Sequence, residues 1–353
     1  MYILAERLIM LSLQFFKEFF LQRISPVVGE FVSAERTPAR VGTNRLAVYA
    51  WIVVAWNLVV IMWGAFVRAT GSGAGCGSHW PLCNGEVLPR APQVGTLIEL
   101  THRATSGVAL LMLVALVVWA RWRFPPKHLV RRAAYASAVF MILEALIGAG
   151  LVLFELVADN DSIARAIYLS VHLVNTFLLV GALTLTAWWA TREGKKVEVK
   201  KQKRLAWMFA ACLVGTLVLG VSGAIAALGD TLFPARSLAH GFAQDFAPAA
   251  HFLVRLRIFH PAIAIAVGAG LIAAATVAAR VRPQTETKRL ASLLTGLVLS
   301  QLALGALNVW LLAPIPVQLI HLFLADLLWM ALIVLAASSL GERSAQTYEA
   351  VRA

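Results

Sequence analysis

Eight long apolar stretches constrain this chain more than any other feature of its sequence. A helix needs about 20 mostly apolar residues to cross about 30 Å of hydrocarbon, and each stretch is long enough to do so. Apolar residues make up 60% of the chain and charged residues only 14%, which is unlike an ordinary soluble domain. We predict an all-α, polytopic membrane protein with eight transmembrane helices, at about 47–67, 97–120, 133–157, 163–190, 205–228, 253–279, 290–312 and 316–340.

Basic residues fall on alternate connections between these spans. They precede the first span, follow the second, fill residues 191–204 and follow the sixth. Because short cytoplasmic loops carry the excess of Lys and Arg, both termini are predicted to be cytoplasmic, in a bacterial-type inner membrane. The net charge of +13 is then a consequence of topology. Nucleic-acid binding is not expected, since the bases are dispersed over separate loops.

The charged connection at 191–204 is predicted to be a cytoplasmic linker that divides the chain into two four-helix bundles. The first bundle covers 45–190 and the second covers 205–340. Each has a long outer loop after its first span and a histidine in its second and fourth spans, which predicts a pseudo-symmetric pair. Residues 1–44 are expected to lie on the cytoplasmic membrane surface as an amphipathic extension, and 341–353 to form a cytoplasmic tail.

Four histidines lie within the even-numbered spans, displaced toward the outer leaflet. A single histidine in an apolar helix is usually a hydrogen-bonded structural residue, and that alternative stays open for each. Ionisable residues in spans are nevertheless rare and mostly face the bundle interior. Zinc would require three or four close ligands, whereas two histidines on facing helices suit axial ligation of heme iron. We therefore predict two heme sites, with His102 and His172 in one half and His260 and His321 in the other.

The residues beside the ligands differ between the halves. Glu99 precedes His102 by three positions, and residues three apart share a helix face, whereas Arg257 holds the same place before His260. A carboxylate next to the iron ligand indicates chemistry, and an arginine suits an anionic heme propionate. The alternative for Glu99 is a structural ion pair with Arg103 or Arg68.

The first outer loop holds Cys76 and Cys83. On the oxidising face of the membrane such a Gly/Pro-rich loop can form a disulfide, and an accessible one can be redox-active. Metal binding by the two cysteines with His79 is the weaker alternative, because a fourth ligand is missing nearby. Cys212, inside the fifth span, is interpreted as a small packing residue.

Two motifs carry a resemblance to a known family. The run RATGSGAGCGSHWPLCNG at 68–85, followed by IELTHR at 98–103, resembles the heme A synthases. The eight spans, the duplicated halves and the four histidines resemble that family too, over about residues 45–340.

The resemblance implies oxidation of the C8 methyl of heme O to a formyl group, giving heme A for terminal oxidases. It implies that His102 and His172 hold the substrate heme with Glu99 as a catalytic carboxylate, and that His260 and His321 hold a cofactor heme b. Expected partners are heme O, a heme O synthase (farnesyltransferase), an electron donor that the sequence does not identify, and membrane lipid. A homo-oligomer is left open.

Two other functions compete with this interpretation. A non-catalytic di-heme b electron carrier would also need four histidines, but it leaves Glu99 and the cysteine loop unexplained. A transporter would need broken helices or a polar track at the midplane, and the sequence indicates neither. His240 and His251, in the second outer loop, are interpreted as surface residues, and His251 is the more serious rival to His260 as a ligand.

Overall fold

The computed structural model describes residues 43–192 and 202–341. The predictions for the amphipathic extension up to residue 42, most of the charged linker and the tail after residue 341 lie outside the described residues. The helices of the described part are α1 (Thr43–Ala69), α2 (Val94–Arg123), α3 (Leu129–Leu153), α4 (Ile163–Thr191), α5 (Lys203–Leu232), α6 (Leu238–Asp245), α7 (Phe252–Arg257), α8 (Phe259–Val281), α9 (Thr285–Trp310) and α10 (Ile315–Leu340).

Eight helical stretches of the described chain are long and apolar enough to cross a membrane. They are α1 to α5, α7 with α8, α9 and α10, so the prediction of an all-α protein with eight spans is confirmed. A helix pairs its backbone N–H and C=O groups internally, which hydrocarbon requires. The pseudo-symmetric relation of two four-helix bundles stays a prediction.

The sixth span is less regular than its sequence predicts. Instead of one continuous helix, α7 ends at Arg257 and α8 begins at Phe259. The discontinuity lies two residues before His260. The connection between α5 and α7 contains the short α6, which begins where the hydroxyl of Ser237 accepts a hydrogen bond from the backbone N–H of His240, as expected of an N-cap serine.

The helices that carry two of the histidines, α4 and α10, are in direct contact. The indole Nε1 of Trp329 donates a hydrogen bond to the backbone oxygen of Phe177 at 2.6 Å, and their rings stack with centroids 5.3 Å apart. Gly181 permits this approach, because a Cβ there would lie 2.6 Å from Cδ1 of Ile333. Close packing through a small residue is typical of helices in membranes. It fixes the position of one histidine-bearing helix against the other.

Candidate functional site

Each predicted histidine lies against a glycine of the preceding span. The nearest approach is measured from the Cβ that the glycine lacks to the Cε1 atom of the imidazole. The distances are 2.9 Å for Gly64 and His102, 3.9 Å for Gly148 and His172, 3.0 Å for Gly223 and His260, and 3.2 Å for Gly305 and His321. At three of the four positions a methyl group would crowd the ring. At those three, the glycine provides the space that the imidazole occupies between two helices.

The second-half histidines face each other. The ring centroids of His260 and His321 are 6.4 Å apart and the ring planes are nearly perpendicular, at 84°. Nδ1 of His260 lies 3.0 Å from the hydroxyl of Ser222, which leaves Nε2 as the nitrogen available for a ligand. Because a metal–imidazole bond is about 2 Å long, the gap between the rings suits one metal atom bonded to both.

The first-half histidines are His102 on α2 and His172 on α4. His102 and His172 both have a buried Nδ1 without a hydrogen-bond partner. Nδ1 of His172 lies 3.4 Å from a carboxylate oxygen of Glu144, which is within ion-pair distance. Buried imidazole nitrogens are normally hydrogen-bonded, so both rings have donor or acceptor capacity that the described protein does not use.

Glu144 is a site residue that the sequence analysis missed. On α3, its carboxylate accepts hydrogen bonds from the side-chain amide of Asn175 at 2.5 Å and from the hydroxyl of Thr176. Both partners lie on α4, within a turn of His172. The signal was present in the sequence, since an acidic residue in the middle of an otherwise apolar span is by default a functional candidate.

The second half has an amide at the matching place. Glu144 precedes Gly148 by four residues, and Gln301 precedes Gly305 by four. The Nε2 of Gln301 donates to the backbone oxygen of His321 at 2.9 Å. The two residues therefore stand beside the fourth-span histidine of their own half, one with a carboxylate and one with a neutral amide.

Glu99 is almost completely buried, at 3% exposure, and both of its oxygens have partners. One accepts a hydrogen bond from the backbone N–H of Cys76 at 2.8 Å, and the other pairs with Arg103. The structure thus contains the Arg103 ion pair that the sequence analysis held as an alternative. Arg68 is engaged elsewhere.

The cysteine loop is docked on α2 by these contacts. Cys76 and Cys83 form a disulfide, as predicted, which removes them as thiolate ligands for a metal. Arg103 donates to the backbone oxygens of His79 at 2.7 Å and Leu82 at 2.6 Å. The loop therefore rests on the helix turn that carries His102, with the Glu99 carboxylate between them.

The chain matches a model of a known protein family over residues 47–333, which is most of its length. That model is the one for cytochrome oxidase assembly proteins, COX15-CtaA. The chain belongs to this family.

Individual relatives of the COX15-CtaA chain carry two kinds of name. A Thermus thermophilus protein named protoheme IX farnesyltransferase is 49% identical over 314 residues, which is 89% of this chain and 51% of that protein. The heme A synthase of Staphylococcus carnosus is 33% identical over 58% of this chain and 67% of that protein. The heme A synthase of Bacillus licheniformis is 32% identical over 63% and 72%. The chain thus spans about half the length of the Thermus relative.

Arg257 of this COX15-CtaA chain is already engaged by protein carboxylates. Its guanidinium donates to Asp245 at 2.6 Å, to Asp230 at 3.1 Å and to the amide oxygen of Gln244 at 3.1 Å. The expectation that Arg257 faces a heme propionate is therefore not supported by its geometry. These hydrogen bonds instead hold the connection between α5 and α7 against α7, just before His260.

The loop histidines have local roles. Nδ1 of His251 accepts the backbone N–H of Leu253 at the start of α7, and its Nε2 lies 3.5 Å from Asp161. Nδ1 of His240 accepts the backbone N–H of Arg236. Neither takes part in the glycine–histidine arrangement. In the described residues no group of three or more His, Cys, Asp or Glu side chains is arranged to hold a metal ion, so any iron would depend on the histidine pairs.

The histidine pairs fit a heme in each half. Three of the four imidazoles, those of His102, His172 and His321, have a buried Nδ1 with no partner. The glycines opposite them keep the ring positions free of side chains. Both observations are those expected for a heme, a planar group that two imidazoles would hold between apolar helices.

Proposed function

We propose that this chain oxidises the C8 methyl of heme O to a formyl group, producing heme A for terminal oxidases. Two successive monooxygenase-type steps would each consume dioxygen and two electrons from an external donor, and loss of water from the doubly hydroxylated carbon would leave the formyl group. The observation that carries the proposal is the unequal charge around two similar histidine pairs. The carboxylate of Glu144 lies 3.4 Å from Nδ1 of His172, and the buried Glu99 precedes His102 by one turn of α2. The second half has Gln301 in place of Glu144 and a neutralised Arg257 in place of Glu99. The first half, 45–190, is accordingly the substrate half.

In the substrate half His102 and His172 hold the iron of heme O. Glu99 is the catalytic carboxylate, because a buried acid one turn from the ligand can accept a proton or stabilise developing positive charge. Its bonds to Cys76 and Arg103 hold it in place while the disulfide loop covers this end of the site. Glu144 positions His172 through the adjacent Asn175 and Thr176, as outer-shell carboxylates do for metal-bound imidazoles.

In the second half, 205–340, His260 and His321 hold a resident heme b. When bound, this heme supplies one-electron redox chemistry. Ser222 sets the orientation of His260 and Gln301 secures the backbone at His321. The electron donor is outside the chain and has no signature in it.

The chain works as a multi-pass protein of a bacterial-type inner membrane, with both termini cytoplasmic and the histidines toward the outer leaflet. The basic connections support this orientation. A farnesyltransferase that makes heme O is the proposed upstream partner. The relative named for that activity, which matches this chain over only half of its own length, supports the pairing.

The decisive experiment expresses the chain with a heme O-producing farnesyltransferase in a host that lacks its own heme A synthase. Extracted hemes are separated by chromatography and identified by mass. We expect heme A in this strain and heme O alone in the strain with an empty vector. Heme O alone from well-folded chain would refute the enzyme and favour the non-catalytic di-heme carrier.

A further inference from the structure

Arg68 connects the two halves of the protein. It lies at the outer end of α1, yet its Nη1 donates to the backbone oxygen of Ala227 at 2.8 Å and to the hydroxyl of Thr231 at 2.7 Å, both on α5. Its Nη2 donates to the side-chain oxygen of Gln318 on α10 at 3.0 Å. The guanidinium of this first-half residue therefore contacts only helices of the second half in these hydrogen bonds.

The place where the guanidinium lies is defined by the second histidine pair. Ala227 follows Gly223, the glycine against His260, by four residues, and Gln318 precedes His321 by three. Each separation is about one helical turn. Arg68 is therefore bonded to α5 one turn after the glycine that lies against His260 and to α10 one turn before His321.

The guanidinium has hydrogen-bonding capacity left over. An arginine carries five N–H donors, and three of those of Arg68 are used by Ala227, Thr231 and Gln318. Among the described residues the Nε–H and one Nη2–H have no acceptor. Every acceptor that Arg68 does have is neutral, and a partly buried cation with neutral partners favours an anion.

A second arginine adds to the positive charge. Arg165, on the first turn of α4, is 3% exposed and its Nε is buried without a partner. Its Nη1 is bound to the backbone oxygens of Ala158 and Asn160. The positive charges of Arg165 and Arg68 repel each other, and Arg165 is in turn attracted by Asp159. Asp230 attracts Arg68, but the hydrogen bond of that carboxylate goes to Arg257.

We propose that Arg68 binds a carboxylate of the heme held by His260 and His321, so that a residue of the substrate half completes the cofactor site of the other half. The inference rests on the proposed function, in which that pair holds heme b. A heme carboxylate is the anion that a ligand of those two histidines brings with it, and a guanidinium fork matches its two oxygens. Arg68, and not the neutralised Arg257, takes this role.

The test uses full-length protein in which His102 and His172 are replaced by alanine, so that only the second-half heme is observed. In this background Arg68→Gln should lower the midpoint potential of the heme, because a nearby cation favours the reduced iron. Heme transfer to apomyoglobin should become about tenfold or more faster, the lower end of what losing a charge-assisted hydrogen bond costs. Arg68→Lys should keep the potential near that of the parent and still release heme faster.

The matched control is Arg103→Gln, which removes a cation of the first half one residue after His102 and should change neither quantity. An Arg68→Gln protein with the parent potential and release rate would overturn the inference. If Arg68→Gln does not fold, an Arg68→Lys protein that releases heme as slowly as the parent would overturn it as well. Loss of the heme in a His321→Ala protein is measured in parallel. If the parent carries no heme that depends on His321, the proposed function has failed instead.

Discussion

The two halves of the protein place their histidines in the same way and surround them differently. In both, a glycine on the preceding span lies against the imidazole. The first half adds Glu99, ion-paired with Arg103 one turn before His102, and Glu144, which lies 3.4 Å from His172. The second half has Arg257, neutralised by aspartates, and Gln301.

In the proposed function, this difference distinguishes the second half, which only holds a heme, from the first half, which oxidises one. The glycine–histidine arrangement is what a bis-imidazole site needs, and both halves have it. The carboxylates are additional, and buried acids are costly unless they have partners or a function. A protein that only stored or relayed electrons would have no need for acids at the positions of Glu99 and Glu144 in one half alone.

The largest expected effect comes from removing the ligands of one half at a time. We expect His260→Ala with His321→Ala to abolish the resident heme. His102→Ala with His172→Ala should keep the resident heme spectrum and abolish heme A formation. Optical spectra and extracted hemes are the measurements. Loss of all heme from the first-half variant would contradict the division of roles.

Glu99→Gln should lower heme A formation by about 10²- to 10⁴-fold, the range typical of a lost general acid or base, with the resident heme spectrum unchanged. Arg103→Gln is the matched control, because it breaks the same ion pair and leaves the carboxylate. Turnover is measured from product per bound heme. Equal losses in the two variants would make Glu99 an anchor of the cysteine loop rather than a catalytic group.

Glu144→Gln, which gives the first half the amide of the second, should weaken substrate-heme binding by about 10- to 100-fold, as loss of an outer-shell partner does. The reciprocal change, Gln301→Glu, should lower the midpoint potential of the resident heme by adding a negative charge near His321. Heme titration and a redox titration test the two. If both variants behave as the parent protein, the acid–amide difference carries no function.

Gly64→Ala and Gly223→Ala should each cost about 1–3 kcal/mol, the usual penalty for overpacking, since the new methyl would lie 2.9–3.0 Å from an imidazole carbon. Gly148→Ala should be nearly neutral because its separation is 3.9 Å. Gly270→Ala, with nothing within 4 Å, is the control. Thermal unfolding followed with heme absorbance compares them, and a Gly223→Ala protein as stable as Gly270→Ala would contradict the model of a crowded ring.

The smallest effect is expected at Asp326, five residues after His321, where the first half has Phe177. Asp326 is fully buried, and neither carboxylate oxygen has a hydrogen-bond partner within residues 43–192 and 202–341. Because an unpaired buried acid is costly, Asp326→Asn should raise the stability of the detergent-solubilised protein by about 1 kcal/mol. Unfolding temperatures are compared with that of the parent protein, and Asn175→Asp serves as a variant that adds a buried acid. A lower unfolding temperature for Asp326→Asn than for the parent would indicate that the aspartate has an unrecognised partner.

The eight spans, the candidate residues His102, His172, His260, His321 and Glu99, and the disulfide were predictable from the sequence. Span positions depend on local composition, because hydrocarbon accepts only helices with their backbone groups paired internally. The disulfide joins two residues only seven apart. Glu99 and Arg103 share one helix face, so their ion pair was also predictable as an alternative.

Which charged side chains lie near which histidine could not be predicted from the sequence, because it depends on how the helices pack. Glu144 meets α4 across a sequence separation of 31 residues, and Arg68 reaches Gln318 across 250. Arg257 was expected to face a heme propionate. Its guanidinium instead pairs with Asp245 and Asp230, which the end of α5 and the connection between α5 and α7 bring to it. Side chains on different helices meet according to helix packing and rotation, which local hydrophobicity does not fix. That packing brings the guanidinium of Arg68, on α1, into contact with α5 and α10.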